Sequence, residues 1–352
     1  MRMIRVFLIL AAVLCLVTTC CDDCPDCPVC PEPEPEEHLF YIAPKQGNMV
    51  KIFSVEREAF IDSLVVDSIA SNSIMRIHVI SDDSLLAVTA GSKTYIVDLK
   101  TKGIIDSFGS RALMFSRNSR FYFDGNSLYL YPEHTLIYTD PESGGFGRFC
   151  NQSEILTYQY YVTPRDPIEL GIYNILGGSF NHAIKTWHGH GVTFFASQAV
   201  GSLQKVFIDA ATYCALGVCD FDSDTLRMLK YLPYGGGATL VVSPDDKYVF
   251  FTDYGPTPFG YGPSGHIFVW DAETEDSVAA IAYPFTWNEQ FNMLVMSYDG
   301  KYLIARPFNE MNEFTTFCLI DAQNHEVIGT YDCGFLTGNV TAKYCIRDML
   351  TY

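Results

Sequence analysis

The sequence predicts an all-β chain whose globular part is seven copies of one four-stranded antiparallel sheet. Three observations predict it. Segments 50–60, 95–104, 128–137, 172–180, 218–226, 268–278 and 317–327 repeat one phrase: an apolar alternating strand, usually an Asp or Asn, a short polar turn, and a second apolar strand. Tyr and Phe are abundant, 22 and 25 of 352 residues, and aromatic side chains suit a pleated surface better than a helix. Finally, residues 39–352 divided by seven give about 45 residues per copy, the length of four short strands and their turns.

The elements follow in chain order. Residues 1–20 read MRMIRVFLILAAVLCLVTTC. Arg2 and Arg5 form a positive start, and residues 6–17 are an apolar run of about a dozen, the length of a signal-peptide core. Thr18 and Thr19 then precede Cys20 and Cys21. The segment resembles a bacterial lipoprotein signal, which implies lipid on Cys20 or, alternatively, Cys21. An ordinary secretory signal and an uncleaved anchor are the competing readings. After residue 20 no run of about 20 apolar residues occurs, so nothing later reads as a membrane span.

Residues 21–38 are a tether of Cys, Pro, Asp and Glu. PEPEPEE is extended and stiff, because Pro favours polyproline II and like charges repel. Cys21, Cys24, Cys27 and Cys30 have two residues between each and the next, a spacing that can present thiolates to zinc or an iron–sulfur cluster. No supporting shell surrounds them in sequence, and Pro between them opposes wrapping, so no metal or other cofactor is expected. Disulfides suit an oxidising compartment. The formal net charge is −18, and losing Arg2 and Arg5 with a signal makes it more negative. Such a surface repels phosphate backbones and anionic headgroups, which excludes nucleic acid as a partner.

Within 39–352, six full sheets are expected at 75–108, 112–139, 146–186, 192–231, 239–283 and 293–331. The inner hairpins are clearest at 239–253 (TLVVSPDDKYVFFTD) and 293–307 (MLVMSYDGKYLIARP), where Ser-Pro-Asp-Asp-Lys and Ser-Tyr-Asp-Gly-Lys are tight-turn chemistry. Two pieces remain. Residues 39–65 supply three strands (39–43, 49–54, 59–65), and 340–345 supply one. The C-terminal strand is expected to complete the first sheet as its innermost strand, joining the chain ends and leaving no open edge. Sheets tiled radially this way make a seven-bladed β-propeller of four-stranded antiparallel blades.

The pattern V-S-x-D-G-K-Y-L followed by a V-x-D-x-x-x-x-x-V hairpin resembles the YVTN family of β-propellers, kin of WD-repeat-like propellers. Val269-Trp270-Asp271 is similar to the WD dipeptide. The resemblance covers the sixth and seventh copies well, the second and fifth moderately, and the third and fourth poorly. It implies a fold; its residues are hairpin and packing residues and imply no activity.

In such a blade the hairpin turns emerge at one end, and the connections between second and third strands and between blades emerge at the other. The long connections (162–168, 187–191, 232–237, 253–265, 284–292 and 307–313) all belong to the second class. Arg165, Tyr234, Tyr254, Tyr261, Trp287, Phe308 and Glu310 are the candidate ligand-binding residues there, since Tyr and Trp give large contact area at low entropic cost. The competing reading is that these rings cover the core and plug the channel. His188 and His190 are the most metal-like pair but lack a third ligand by spacing, so no metal is expected. Asp220, Asp222 and Asp224 resemble the start of a calcium loop without its Gly and Glu, and read as a turn. Among the globular cysteines, Cys214–Cys219, expected to span adjacent strands of the fifth copy, and Cys333–Cys345, near the ring closure, are disulfide candidates, and buried free thiols are the alternative.

No G-x-S-x-G, phosphate loop or paired-carboxylate motif appears. The reading is a non-enzymatic, lipid-anchored extracytoplasmic propeller of the cell envelope that binds a protein or glycan through its long-loop face. The alternatives are a propeller enzyme similar to the lactonases related to 6-phosphogluconolactonase, acting at the channel mouth, and a structural envelope component.

Overall fold

A computed structural model describes residues 37–342, apart from short breaks. The breaks of four residues or more are 70–73, 110–113, 140–145, 150–153, 160–167, 187–193, 201–204, 232–239, 283–289 and 309–314. From His38 on, the described residues belong to one compact unit. They form seven four-stranded antiparallel sheets. Sheet one is β1 (Leu39–Pro44), β2 (Met49–Ser54) and β3 (Ala59–Val65), with the last strand, β28 (Thr337–Ala342), on the far side of β1. Sheet two is β4 (Ile74–Ile80), β5 (Leu85–Ala90), β6 (Lys93–Asp98) and β7 (Ile104–Phe108). Sheet three is β8 (Met114–Phe115), β9 (Phe121–Asp124), β10 (Ser127–Leu130) and β11 (Thr135–Thr139). Sheet four is β12 (Phe146–Phe149), β13 (Glu154–Gln159), β14 (Ile168–Asn174) and β15 (Ser179–Thr186). Sheet five is β16 (Phe194–Val200), β17 (Lys205–Ala210), β18 (Cys214–Asp220) and β19 (Thr225–Tyr231). Sheet six is β20 (Leu240–Val242), β21 (Tyr248–Thr257), β22 (Gly260–Asp271) and β23 (Ser277–Ala282). Sheet seven is β24 (Gln290–Met296), β25 (Tyr302–Phe308), β26 (Thr316–Asp321) and β27 (Glu326–Asp332).

The two ends of the chain meet in sheet one. Phe40 pairs with Ala342, Tyr41 with Thr341 and Ile42 with Val340. The first strands of neighbouring sheets lie side by side: β28 by β4, β4 by β8, β12 by β16, β16 by β20, β20 by β24, and β24 by β28.

Burial follows position in the sheet. β1, β5 and β26 are buried almost throughout, because each sheet is covered on both faces by its neighbours. The outermost strand β27 alternates exposed and half-buried residues along its whole length. The core is therefore a series of inter-sheet layers. Val50 and Leu64 pack with Ile77, Val79 and Leu86 between sheets one and two. Phe207 and Val218 meet Val249 and Phe251 between five and six. Phe250 and Val269 meet Leu303 and Ile320 between six and seven. Phe40, Ile42 and Phe53 meet Ile304, Phe317 and Leu319 between seven and one. In that last layer Phe53 and Phe317 meet edge-to-face at 5.0 Å, an arrangement worth about 0.5–1.5 kcal/mol beyond area burial.

Two turn devices recur. In the inner hairpins, Ser243 Oγ accepts from Tyr248 N–H (2.8 Å) and donates to Asp245 (2.5 Å); Ser297 does the same with Tyr302 (2.9 Å) and Asp299 (2.8 Å). Gly300 sits at φ 74, which favours glycine, and an added Cβ would stand 3.1 Å from Pro244, which would have to give way. In the outer hairpins an Asp caps the turn. Asp98 Oδ1 accepts from Thr101 N–H, Asp271 Oδ1 from Glu273 and Thr274, and Asp321 Oδ1 from Gln323 and Asn324. In five of the outer hairpins a turn residue takes a left-handed conformation: Glu58 (φ 48), Lys102 (φ 58), His134 (φ 53), Glu275 (φ 61) and His325 (φ 59).

Candidate functional site

The left-handed turn residues reach the preceding sheet. Tyr331 OH on β27 donates to Glu58 Oε2 at 2.8 Å. Lys102 Nζ lies 2.6 Å from Asp62 on β3. His134 lies 3.2 Å from Asp106 on β7 and shares a hydrogen bond with Tyr122 OH. Glu275 takes Lys205 Nζ at 2.9 Å and Arg227 at 2.6 Å from sheet five. His325 packs its ring on Tyr248 and Phe250 of β21. One end of the unit is thus a belt of short turns bound to their neighbours. It leaves the opposite end, where the second strand connects to the third, as the elaborated one.

At that end the clearest feature is a β-ribbon. β21 and β22 pair from Tyr248↔Asp271 out to Thr257↔Gly260. β20 accompanies β21 only to Phe251, and β23 accompanies β22 only from His266. Among the described residues the remaining stretch is two-stranded and extends past its own sheet, with a register shift between Thr252 and Tyr254, and such a shift bends a ribbon. Segment 253–265 is therefore not the open loop its Gly and Pro content suggests. Pro is tolerated in strands whose N–H faces away from a partner, and both strands of a free ribbon have such an edge. By the two-residue period of the pairing, Tyr254, Pro256, Tyr261 and Pro263 occupy one set of register positions; Gly255, Thr257, Gly260 and Gly262 occupy the other.

Two sequence candidates, Tyr254 and Tyr261, are thus brought together on one ribbon. Phe308 is the last residue of β25 and pairs with Gln290. Arg165, Tyr234, Trp287, Glu310, His188 and His190 lie outside the described residues, as do Cys20, Cys21, the tether cysteines and Cys345. Among the described residues no group of three His, Cys, Asp or Glu is placed to hold a metal. Nor is any helix among them long and apolar enough to cross a membrane.

The cysteines need one correction. Cys214 and Cys219 stand on the same strand, β18, not on adjacent ones. Five residues of extended chain separate their Cα atoms by about 16 Å, while a disulfide needs about 4.4–6.8 Å. Cys219, Cys318 and Cys333 are buried free thiols. Burial pushes the Cys219 thiol far above its ordinary value, beyond any useful thiolate, and Cys318 and Cys333 up to about 12.

Two cations near the elaborated end of sheets one and seven were not among the sequence candidates. Lys51 on β2 donates to the Cys333 carbonyl at 2.6 Å and lies 5.1 Å from the ring centres of Phe60 and Phe335. Arg306 on β25 is buried, and burial lowers its pKa to about 10. A charge within the apolar strand YLIARPF was the signal available for Arg306; Lys51 offers none, because its partner is 282 positions away.

No protein-family model matches this chain, and no curated protein matches it. Among solved structures, U3-55K is similar with a TM-score of 0.56 at 9% identity, over 77% of this chain and 85% of its own. The hydrazine synthase of Kuenenia stuttgartiensis is similar with a TM-score of 0.53 at 14% identity, over 71% of this chain and 77% of its own. At these identities the likeness is one of fold, and both are β-propeller proteins.

Proposed function

We propose that this chain is a seven-bladed β-propeller, its ring closed by β28, held outside the cytoplasm by lipid on Cys20, and that it binds a protein or glycan through the end carrying the β21–β22 ribbon. The ribbon is the observation that carries the reading. Tyr254 and Tyr261 share a register face on a two-stranded arm that leaves the sheet, and aromatic side chains on a braced arm give contact area with little ordering cost. The opposite end is tied up in turn-to-sheet contacts and offers no comparable arm among the described residues. Support for closure is the β28–β1 pairing and the side-by-side first strands. Support for the location is the N-terminal sequence: a charged start, a short apolar run, then Cys20 and Cys21. The sequence carries no nucleophile-elbow, phosphate-loop or paired-carboxylate motif, and binding rather than turnover is proposed.

The test compares the wild-type chain with Tyr254→Ala/Tyr261→Ala/Trp287→Ala in affinity capture from detergent-solubilised envelope and on a glycan array. Loss of the same partners or glycans in the triple variant, with an unchanged melting temperature, is the expected result. Equal recovery by both proteins refutes the ribbon face as the recognition surface. Incorporation of labelled fatty acid, present in wild type and absent in Cys20→Ser, tests the anchor separately.

A further inference from the structure

The N-terminal three strands of sheet one have no direct covalent link to sheet seven. They are held to it through β28, through the Phe53–Phe317 layer, through the Tyr331–Glu58 and Lys51–Cys333 hydrogen bonds, and through one imidazole that bridges both sheets. His38, the residue before β1, is buried. Its Nδ1 lies 2.5 Å from Oε1 of Glu56 in the β2–β3 turn, and its backbone N–H donates to Oε2 of the same carboxylate at 2.9 Å. Its Nε2 lies 2.8 Å from Oδ2 of Asp299 in the β24–β25 turn, 261 positions away. The ring stacks on Tyr298 at 5.7 Å and meets Tyr302 edge-on at 4.8 Å. Asp299 is itself fixed by Ser297 Oγ, by Lys301 N–H and by Lys301 Nζ at 3.0 Å.

A neutral imidazole has one N–H and can donate to only one of two carboxylates, whereas an imidazolium donates to both. We propose that His38 is a proton-operated latch: its imidazolium holds sheet one to sheet seven by bonding Glu56 and Asp299 at once, and loss of that proton releases one carboxylate and loosens the β1–β28 seam beside it.

The groups facing the ring are Glu56 from the β2–β3 turn and Asp299, Lys301, Tyr298 and Tyr302 from sheet seven, with Asp321 acting on Tyr302. Burial alone would lower the His38 pKa. The hydrogen bonds to Asp299 and Glu56, and their charges, outweigh it and leave the pKa raised. For Asp299, burial would raise the carboxyl, but His38, Lys301 and Ser297 hold it well below the usual carboxylate range. The sign follows. A raised histidine contributes stability that is fully present below its unfolded value of 6.5 and is lost as pH rises through the folded value. Asp299 stays charged through that window, so the seam is expected to loosen on the alkaline side.

The test is amide hydrogen exchange on the full-length chain in detergent from pH 5.5 to 9, expressed as protection factors corrected for intrinsic rates. Amides of Phe40–Ile42 and Val340–Ala342 should lose protection as pH rises, by about tenfold for each unit by which the folded pKa exceeds that of the opened chain. Amides of Val249–Phe251 in sheet six should not. His38→Gln should remove the pH step, and Asp299→Asn should move it to lower pH. Seam protection that is independent of pH in the wild type, or a step that persists in His38→Gln, overturns the latch. Should His38→Gln fail to fold, titration of 13C-labelled imidazole in the wild type decides: a His38 pKa at or below 6.5 overturns it, and a value above 6.5 that tracks seam protection sustains it.

Discussion

Glu275 makes the sharpest stability test, because its backbone and side chain pull in opposite directions. The side chain is largely buried, with 10% exposure, and takes Lys205 (13% exposed) at 2.9 Å and Arg227 (47% exposed) at 2.6 Å. Removing one partner from a buried ion pair costs about 3–5 kcal/mol. Here Lys205 keeps the carbonyls of Ala272 and Glu273, both at 3.2 Å, so its charge is not left bare. The Arg227 bond is half in solvent and adds about 0–1 kcal/mol. Glu275→Ala should therefore destabilise by about 2–3 kcal/mol. Glu275 also sits at φ 61, where a residue with a Cβ is strained by about 1 kcal/mol relative to glycine. Glu275→Gly, though it also loses the side chain, should be the more stable of the two variants by about that amount. Burial alone would raise the Glu275 carboxyl, but Arg227 and Lys205 hold it below its ordinary 4.5. The stabilisation is accordingly present above pH 4.5 and lost as pH falls through the folded value. Scanning calorimetry of wild type, Glu275→Ala and Glu275→Gly at pH 7 and pH 4 reads all of this. A glycine variant no more stable than the alanine variant, or a wild-type advantage undiminished at low pH, refutes the reasoning.

Two further predictions use buried polar atoms that find no partner among the described residues. Trp270 buries its indole Nε1 without an acceptor, so Trp270→Phe removes an unmet donor worth about 1–3 kcal/mol along with some packing; a midpoint in urea within about 1 kcal/mol of wild type is expected, and a loss of 3 kcal/mol would show the donor is satisfied. His325 is half-enclosed by Tyr248 and Phe250, its Nε2 buried and unbonded, and burial lowers its pKa against a smaller opposing pull from Asp321. A depressed histidine binds its proton more readily when unfolded, so stability should fall as pH drops below 6.5; His325→Asn, which tolerates the left-handed turn, should show a shallower fall in melting temperature between pH 7 and 5, and an equal slope would exclude His325 as the cause.

Much of the fold was legible because its devices are local. Ser243–Tyr248 and Ser297–Tyr302 are five residues apart, and the Asp that caps each outer turn bonds amides two and three residues on. The pairing of β28 with β1 was legible for a different reason: three strands at one end and one at the other leave a single arithmetic solution. What local reasoning missed was non-local or contrary to propensity. The 253–265 segment reads as loop by its Gly and Pro, yet pairs as a ribbon, because a ribbon's free edges excuse missing donors. Cys214 and Cys219 looked like cross-strand partners because strand ends are uncertain by a residue or two, enough to hide that β18 runs unbroken from one to the other. His38 carried no motif at all; its meaning depends on Asp299, which only the meeting of the chain ends brings near.

The two histidines on either side of sheet seven act with opposite sign, and this has a consequence for the whole seam. His38 joins sheet seven to sheet one as a cation and weakens that junction as pH rises above its raised pKa. His325 joins sheet seven to sheet six as a neutral ring and weakens that junction as pH falls below 6.5. Neither group opposes the other within its own window, because each is already in its preferred state there. Sheet seven should therefore be held most firmly on both flanks in a band that begins near the ordinary imidazole value and ends where His38 loses its proton, with the apolar layers on each side holding at every pH. Acid should open the boundary with sheet six, and alkali the boundary with sheet one. One sheet with two pH-sensitive edges differs from generic acid or base denaturation, in which the many carboxylates of a chain of net charge −18 would titrate together and no single boundary would yield first.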